Sequence, residues 1–200
     1  PLSPYFYFTG TAGGGPNWRQ GGHTTTNMND QVVLPDQYAI VRQGGVTTNN
    51  TLQVFGTAPL LTGSYRLGTI DANQAQDNAL AINAFAPVTL TQSNLFESGA
   101  FAGTTSPSGA TGGDRLFVYD DTVVAENKAA SAIYYYYTGT GAGGPSWRQV
   151  GQTTTNENNA VAFNPGSGFI IRKAATEAPT DVFWNFNPPY ATQQQPQQQP

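Results

Sequence analysis

Few side chains of this sequence are suited to catalysis. The single histidine is His23, and a Ser-His-Asp triad would have to be built around it without the Gly-x-Ser-x-Gly turn that presents a nucleophilic serine. The absence of cysteine removes thiolate nucleophiles, disulfides and cysteine-based metal sites. Carboxylates that could act as a glycosidase pair lie at Asp114, Asp120, Asp121 and Glu126. Because the adjacent Asp120 and Asp121 are typical of a hairpin turn, we predict that the protein is not an enzyme and assign no catalytic residue.

Oxygen ligands for calcium could come from Asp120, Asp121 and Glu126 or from two Asn-rich segments, at residues 27–30 and 156–159, but the spacing of an EF-hand is absent. Such clusters are typical of turns, because Asn and Asp side chains cap their own backbone. Glycine runs at residues 13–15 and 141–144 resemble phosphate-binding loops, yet Pro-x-Trp-Arg follows them where a P-loop has Lys and a helix. We therefore predict no metal and no cofactor.

The elements that position these side chains belong to an internal repeat. Residues 5–34 align with residues 134–163, and 18 of the 30 aligned positions are identical. Each copy extends to about 56 residues, and its frequent Gly and Pro turns indicate short β-strands. We predict a mainly β fold, a duplicated β-sandwich of the jelly-roll or immunoglobulin-like type with two related halves of short antiparallel strands.

This organisation predicts a first β repeat at residues 1–60, a connecting β segment at 61–133, a second β repeat at 134–190 and a Gln/Pro-rich tail at 191–200. One segment has a helix-friendly composition, at residues 72–83, and would form one or two turns at most. The predicted strands are 5–9, 18–20, 31–34, 38–42 and 51–55 in the first copy; 64–70, 85–91, 116–119 and 122–124 in the connection; and 133–138, 146–150, 160–163, 168–172 and 181–186 in the second copy.

A Trp-Arg pair recurs in the repeat. The structural positions of the two copies are Trp18, Arg19 and Arg42 in the first and Trp147, Arg148 and Arg172 in the second. We interpret the tryptophans as core residues and the guanidinium groups as crossing a strand end. A flat sugar-binding platform that also includes Trp184 is the alternative.

The first strand of each copy consists of aromatic residues on both faces. These positions are Tyr5, Phe6, Tyr7 and Phe8 in the first copy and Tyr134, Tyr135, Tyr136 and Tyr137 in the second. One interpretation is a central strand covered on both sides by its own chain. The other is an assembly interface, in which a neighbouring molecule covers the second face.

The two copies differ in what precedes them. Residues 114–124 lead into the second copy and could pair with its first strand, whereas only residues 1–4 precede the first copy. If the halves share a topology, the first copy has a vacant strand position, which a strand of an adjacent subunit could fill by β-augmentation. Alternatively, residues 116–124 serve both halves, or the halves differ.

Composition restricts the class of partner. Only 10% of residues are charged and the net charge is −4, so the basic stripe needed for nucleic acid or an anionic membrane is missing. No apolar run reaches the length of a membrane span, roughly 20 residues. The Thr-, Asn-, Gly- and Tyr-rich composition is typical of exported bacterial surface proteins, and the start at Pro1 suggests a mature product whose signal peptide has been removed.

Two motifs of the second copy carry a family resemblance. They are Trp-Arg-x-Val-Gly at residues 147–151 and Pro-Gly-x-Gly-Phe-x-x-Arg at residues 165–172. Residues 116–172 resemble a family of uncharacterised exported bacterial proteins with these motifs. The first copy keeps Trp18-Arg19 but has Pro-Asp-Gln-Tyr-Ala-Ile at residues 35–40 in place of the second motif. The resemblance implies export and a β-rich fold, and it implies no activity.

We expect an extracellular or cell-surface structural protein, a subunit of a filament or surface layer that assembles with copies of itself by β-strand complementation. Low charge favours this reading, because few like charges are brought together when subunits pack. The alternative is a secreted carbohydrate- or surface-binding β module, with surface glycans as partners.

Overall fold

The computed structural model describes residues 4–12, 14–32, 61–69, 71, 73–109, 111–123, 128–141, 143–175 and 181–190. Within these residues the chain forms β-strands and turns and contains no helix. All strand pairs are antiparallel. The prediction of a mainly β fold is therefore confirmed.

Eleven strands are described. They are β1 (Tyr5–Phe8), β2 (Asn17–Gln20), β3 (Gly63–Gly68), β4 (Gln76–Leu80), β5 (Val88–Thr89), β6 (Arg115–Val118), β7 (Ala132–Tyr137), β8 (Ser146–Gln149), β9 (Val161–Phe163), β10 (Phe169–Lys173) and β11 (Asp181–Phe186). The chain separates into two compact units, Pro1–Pro35 and Asp36–Pro200.

The first unit contains the strand pair β1–β2. Tyr5 lies opposite Gln20, and the pairing continues in register to Phe8 opposite Asn17. The connection turns back through Gly14 and Gly15, whose φ angles of 91° and 85° lie in the left-handed region that glycine adopts without strain. This explains why the glycine run lies between the two strands.

The second unit is built around a five-stranded sheet with the order β4-β10-β6-β7-β8. Two further strand pairs, β11–β3 and β5–β9, complete the described strands of this unit. β10 shows the alternation of a strand that packs on one face, because Phe169, Ile171 and Lys173 are buried while the residues between them are half-buried.

One hydrophobic cluster forms the core of the second unit. At its centre the Trp184 ring lies 5.6 Å from Phe163 and 6.1 Å from Phe169, measured between ring centroids. The Trp184 Nε1 group donates to the Ser93 carbonyl at 2.9 Å, so the fully buried indole keeps its hydrogen bond.

The structure contradicts the prediction of helical turns in segment 72–83. Its central part forms the strand β4, which pairs with β10 from Leu80 opposite Phe169 to Gln76 opposite Lys173. Ladder hydrogen bonds and the burial of Leu80 outweigh a weak local helix propensity. The helix prediction was therefore wrong.

Four other strand predictions need comment. In segment 122–124, Thr122 and Val123 belong to a turn, because the Asp120 carboxylate accepts from Thr122 N at 2.8 Å and the Asp120 carbonyl accepts from Val123 N at 3.3 Å. Gln31 and Val32 are not in a strand. The predicted strands 38–42 and 51–55, with Arg42, lie outside the described residues.

A buried ion pair ties β10 to the segment before β6. Lys173 Nζ donates a short hydrogen bond to the Asp114 carboxylate and another to the Ala100 carbonyl at 2.8 Å. The same carboxylate accepts from the backbone N–H groups of Ala102 at 2.7 Å and Ala174 at 2.8 Å. Both charged side chains are buried, at 8% and 2% exposure, so each depends on the other for compensation.

We expect Asp114→Ala to lower the free energy of unfolding by about 3–5 kcal/mol, because it leaves a buried ammonium without its counter-charge. Asp77→Ala is the matched control: its partner Arg172 is the neighbour of Lys173, and that pair is exposed, so the loss should stay within about 1 kcal/mol. Urea denaturation followed by circular dichroism measures both. Equal losses would contradict the structural role of the buried pair.

Candidate functional site

The aromatic strands lie in two segments with the same local structure. We name residues 5–31 the first module and residues 134–160 the second module. In the second module Tyr134 lies opposite Gln149 and Tyr137 opposite Ser146, the same register that Tyr5 and Phe8 have in the first. In both, the residues after the second strand turn back in the same way: a bridge joins Gln149 to Gln152, as another joins Gln20 to His23.

A buried arginine holds the second module together. Arg148 Nη1 donates to the Thr153 carbonyl at 2.6 Å, and Nη2 donates to the carbonyls of Gly141 at 3.2 Å and Gly144 at 3.1 Å. The guanidinium carbon lies 3.8 Å from the centroid of the Tyr137 ring. The charge is therefore stabilised by carbonyl dipoles and an aromatic face.

Arg19 makes the matching contacts in the first module. Its Nη1 donates to the Thr24 carbonyl at 2.5 Å, its Nη2 to the Ala12 carbonyl at 2.7 Å and its Nε to Asn17 Oδ1 at 2.9 Å. The guanidinium carbon lies 3.6 Å from the centroid of the Phe8 ring. Arg19 is also buried, so the arginine contacts do not distinguish the two modules.

The Asn-rich segments close the modules. Trp147 N donates to Asn158 Oδ1 at 2.9 Å, and Trp18 N donates to Asn29 Oδ1 at the same distance. These side chains hold a loop against the tryptophan strand, which accounts for their presence without an ion. No group of acidic or histidine side chains in the described part of the chain is placed to hold a metal.

The modules differ in how far their aromatic residues are covered. Trp147 is fully buried, whereas Trp18 is 47% exposed. Tyr134 and Tyr135 are buried, whereas their counterparts Tyr5 and Phe6 are exposed. The same strand pair is thus an interior element in one unit and a surface element in the other.

A segment of the same chain covers the inner face of the second module. We name residues 96–109 the cover segment. Phe96 stacks on Tyr136, with ring centroids 3.5 Å apart and planes 8° from parallel. Phe101 lies 4.9 Å from Trp147. These rings cover Tyr136 and Trp147; on this face Tyr134 and Trp147 are buried and Tyr136 is half-buried.

The edge of β7 opposite β8 is also paired. β6 lies alongside its first half, with Leu116 opposite Tyr134. Beyond the end of β6 the cover segment takes over: Thr104 N donates to the Tyr136 carbonyl, and Thr138 N donates to the Thr104 carbonyl, both at 2.9 Å. The aromatic strand of the second module therefore lies between two neighbours along its length.

The other face of β7 contacts the cover segment as well. The Tyr135 hydroxyl donates a short hydrogen bond to the Pro107 carbonyl. At Gly109 an added Cβ would lie 2.6 Å from the Tyr135 ring, and its φ of 64° is left-handed, so only glycine fits this approach.

The first module keeps its aromatic face exposed. Among the described strands β1 pairs with β2 alone. Tyr7 and Trp18 contact each other edge to face, with centroids 5.6 Å apart and planes at 71°. We name Tyr5, Tyr7 and Trp18, the counterparts of the buried inner face, the acceptor surface.

The strand order limits the alternative in which residues 116–124 pair with both copies. β6 pairs with β7 on one side and with β10 on the other. A strand has two edges, so β6 has none left for β1.

The remaining predicted residues lie apart from the modules. Arg172 binds the Asp77 carboxylate through Nε at 2.6 Å and Nη2 at 2.8 Å, and this bond holds the pKa of Asp77 below its ordinary value. Trp184 is in the core, so Trp147 and Trp184 are both buried and the three tryptophans do not form a sugar-binding platform. His23 is exposed.

Sequence analysis did not identify the aromatic residues of the cover segment. Phe96 and Phe101 belong to a turn-rich segment without strand periodicity, so no local pattern marked them. Lys173 follows Arg172 and was missed because a lysine at a strand end is usually solvated.

Burial raises the pKa of Tyr134, Tyr135 and Tyr136 in the second module. Desolvation is the main cause for Tyr134, Tyr135 and Tyr136, and nearby carboxylates at Glu157 and Glu97 add to it for Tyr134 and Tyr136. Because these phenols ionise at lower pH in the unfolded chain, rising pH favours unfolding above their ordinary pKa of about 10.

We expect Trp147→Ala to lower the free energy of unfolding by about 3–5 kcal/mol, as for a buried large side chain. Trp18→Ala, at the equivalent position, should cost about 0.5–1.5 kcal/mol, because it mainly loses the contact with Tyr7. Far-ultraviolet circular dichroism during urea denaturation measures the two. A similar loss for both would show that Trp18 is covered in the dispersed protein.

We expect the free energy of unfolding to fall with a slope that steepens as the pH rises above about 10, because the unfolded chain loses its phenol protons before the folded chain does. Tyr136→Phe should make that slope shallower while leaving the pH 7 value close to that of the unmodified chain. Urea denaturation above pH 10 provides the slopes, and an unchanged slope would contradict a raised pKa of Tyr136 in the folded chain.

No protein family matches this chain, and no curated protein or solved structure is similar to it. In the part of the chain that the structure describes, no helix is long and apolar enough to cross a membrane.

Proposed function

We propose that this protein is a structural subunit of an extracellular filament or surface layer, and that its subunits join by β-strand complementation. The supporting observation is the unequal covering of the two modules. The second module is completed by β6 and the cover segment, while no described residue pairs with the outer edge of β1, and Tyr5, Tyr7 and Trp18 are about half exposed. An unpaired strand edge beside exposed aromatic rings favours addition of another strand.

The wider architecture belongs to the same proposal. We infer that the two modules are the remaining common parts of two related β-sandwich halves, of the jelly-roll or immunoglobulin-like type. The shared register and the paired contacts of Arg19 and Arg148 support a common origin. Export to the cell surface is likewise proposed, from the composition and from the family-like motifs at residues 147–151 and 165–172.

Open assembly follows if donor and acceptor are different parts of the surface. A contact between two unlike surfaces repeats without closing and gives filaments or layers, whereas a contact between two like surfaces stops at a dimer. The low content of charged residues, 10%, keeps electrostatic repulsion between packed copies small. Both properties suit a structural subunit.

A secreted carbohydrate- or surface-binding module is the second candidate. The observation that favours it is the exposure of Trp18, since an exposed indole can stack on a sugar ring. Tyr7 stands at 71° to that indole, so the two rings do not share one flat surface. This geometry is less suited to a row of sugar rings than to packing of protein side chains.

Negative-stain electron microscopy of the concentrated full-length chain tests the assembly proposal. We expect filaments or sheets, and we expect them to be absent when residues 1–9 are deleted, because β1 is then missing. Circular dichroism of the deletion variant should retain most of the β signal, since the five-stranded sheet lies in the other unit. Dispersed monomers from the intact chain, with a tryptophan fluorescence shift on adding polysaccharide, would instead support the binding module.

A further inference from the structure

We propose that the outer edge of β1 together with the acceptor surface (Tyr5, Tyr7 and Trp18) is the docking site for a second copy of this chain. The second copy lays an extended segment along β1 and places apolar side chains over Trp18 and Tyr7. This inference rests on the proposed assembly function and names its site and partner. The second module provides the template, because it is the same strand pair with its cover in place.

The backbone of β1 offers the hydrogen bonds that the template uses. In the second module the Tyr136 carbonyl and the Thr138 N–H are the groups that bind Thr104. Their counterparts in the first module are the Tyr7 carbonyl and the Thr9 N–H, since the two strands share one register. The docking segment therefore binds as a strand, through its main chain.

The face of the first module specifies the side chains of the docking segment. In the template Phe96 covers Tyr136 and Phe101 covers Trp147. The equivalent rings, Tyr7 and Trp18, are the exposed ones. A partner that reproduces this packing brings aromatic or large aliphatic groups, and polar side chains alone cannot exclude water from the indole.

Charge favours a copy of this chain over a charged macromolecule. The only charged side chain in β1 and β2 is Arg19, and its guanidinium binds carbonyls inside the module. The acceptor surface has no charge to attract a nucleic acid or an acidic glycan. An uncharged aromatic strand matches the surface of a protein with few charges.

The size of the acceptor surface shows what else the interface needs. Its three side chains are about half exposed, which corresponds to roughly 300 Å² of aromatic surface. A stable interface buries about 800 Å² on each partner. The main-chain pairing along β1 and the flanking surface must therefore contribute to the buried area. An interface of this size forms only at sufficient concentration, and one substitution in the acceptor surface can disrupt it.

Trp18 is a built-in reporter of docking. Trp147 and Trp184 are fully buried, so acrylamide quenching of the dispersed chain comes mainly from Trp18. We expect the quenching constant of this emission to fall several-fold when the chain assembles. Trp18→Phe, which keeps a ring at the site, should assemble and should remove the quenchable component, which identifies the reporter.

A matched pair of substitutions tests the location. Tyr7→Lys places a charge on the acceptor surface, and Phe183→Lys places the same charge at an equally exposed aromatic residue of β11, at 53% and 57% exposure. We expect Tyr7→Lys to raise the concentration needed for assembly by at least about tenfold and Phe183→Lys to leave it unchanged. Hydrogen exchange of the Thr9 N–H measures pairing at the outer edge of β1 directly, and we expect this exchange to be slower in assemblies of the unmodified chain.

The outcomes separate this inference from the assembly proposal. Filaments in which Trp18 stays quenchable, Thr9 exchanges freely and Tyr7→Lys has no effect would overturn the acceptor site and leave assembly standing. A chain that remains monomeric at all concentrations would overturn both. If a neutral polysaccharide protects Trp18 from quenching while the chain stays monomeric, the partner of the acceptor surface is a glycan and not a second copy of this chain.

Discussion

A buried guanidinium keeps each aromatic strand pair in shape. Each guanidinium donates to a carbonyl before its strand and to one after it: Arg148 to Gly141 and Thr153, and Arg19 to Ala12 and Thr24. An arginine can do this because its donors form a rigid planar fork, whereas a lysine presents a single flexible ammonium. The fork is internal to the module, so the local fold does not depend on what lies over the aromatic face. This independence allows one module to be covered and the other to be open.

Covering is therefore a separate property, and it resides in another part of the chain. The cover segment is held by the Asp114 carboxylate, which joins Lys173 to the backbone at Ala102. A buried carboxylate with these donors fixes the segment in one position, because moving it would leave an unpaired charge in the core. The aromatic strand of the second module is consequently covered by its own chain. The first module has the same construction but lacks a described neighbour along the outer edge of β1.

The repeat made much of the local structure predictable. The glycine runs before Pro-x-Trp-Arg separated predicted strands, as at 5–9 and 18–20, and the predicted strand 168–172 matches most of β10. The errors arose where tertiary contacts decide. β4 has few strand-forming residues and forms because β10 pairs with it, and Phe96 finds Tyr136 across a loop that no local pattern describes. The pairing of Lys173 with Asp114 joins residues far apart in sequence, which spacing alone cannot reveal.

Two edge strands of this protein, β4 and β1, differ in their content of charged residues, and the difference bears on function. β4, at one edge of the five-stranded sheet, has a polar sequence with Asp77 bound to Arg172, and such charges discourage the addition of another strand. β1 consists of aromatic residues and has no charge within it. An edge of that kind on a protein that works alone is an aggregation hazard. The presence of such an edge is understandable if β1 serves to pair with another strand. The features that make an edge prone to aggregation also allow it to accept a strand. Packing on Tyr7 and Trp18 would then set the register and make the pairing specific.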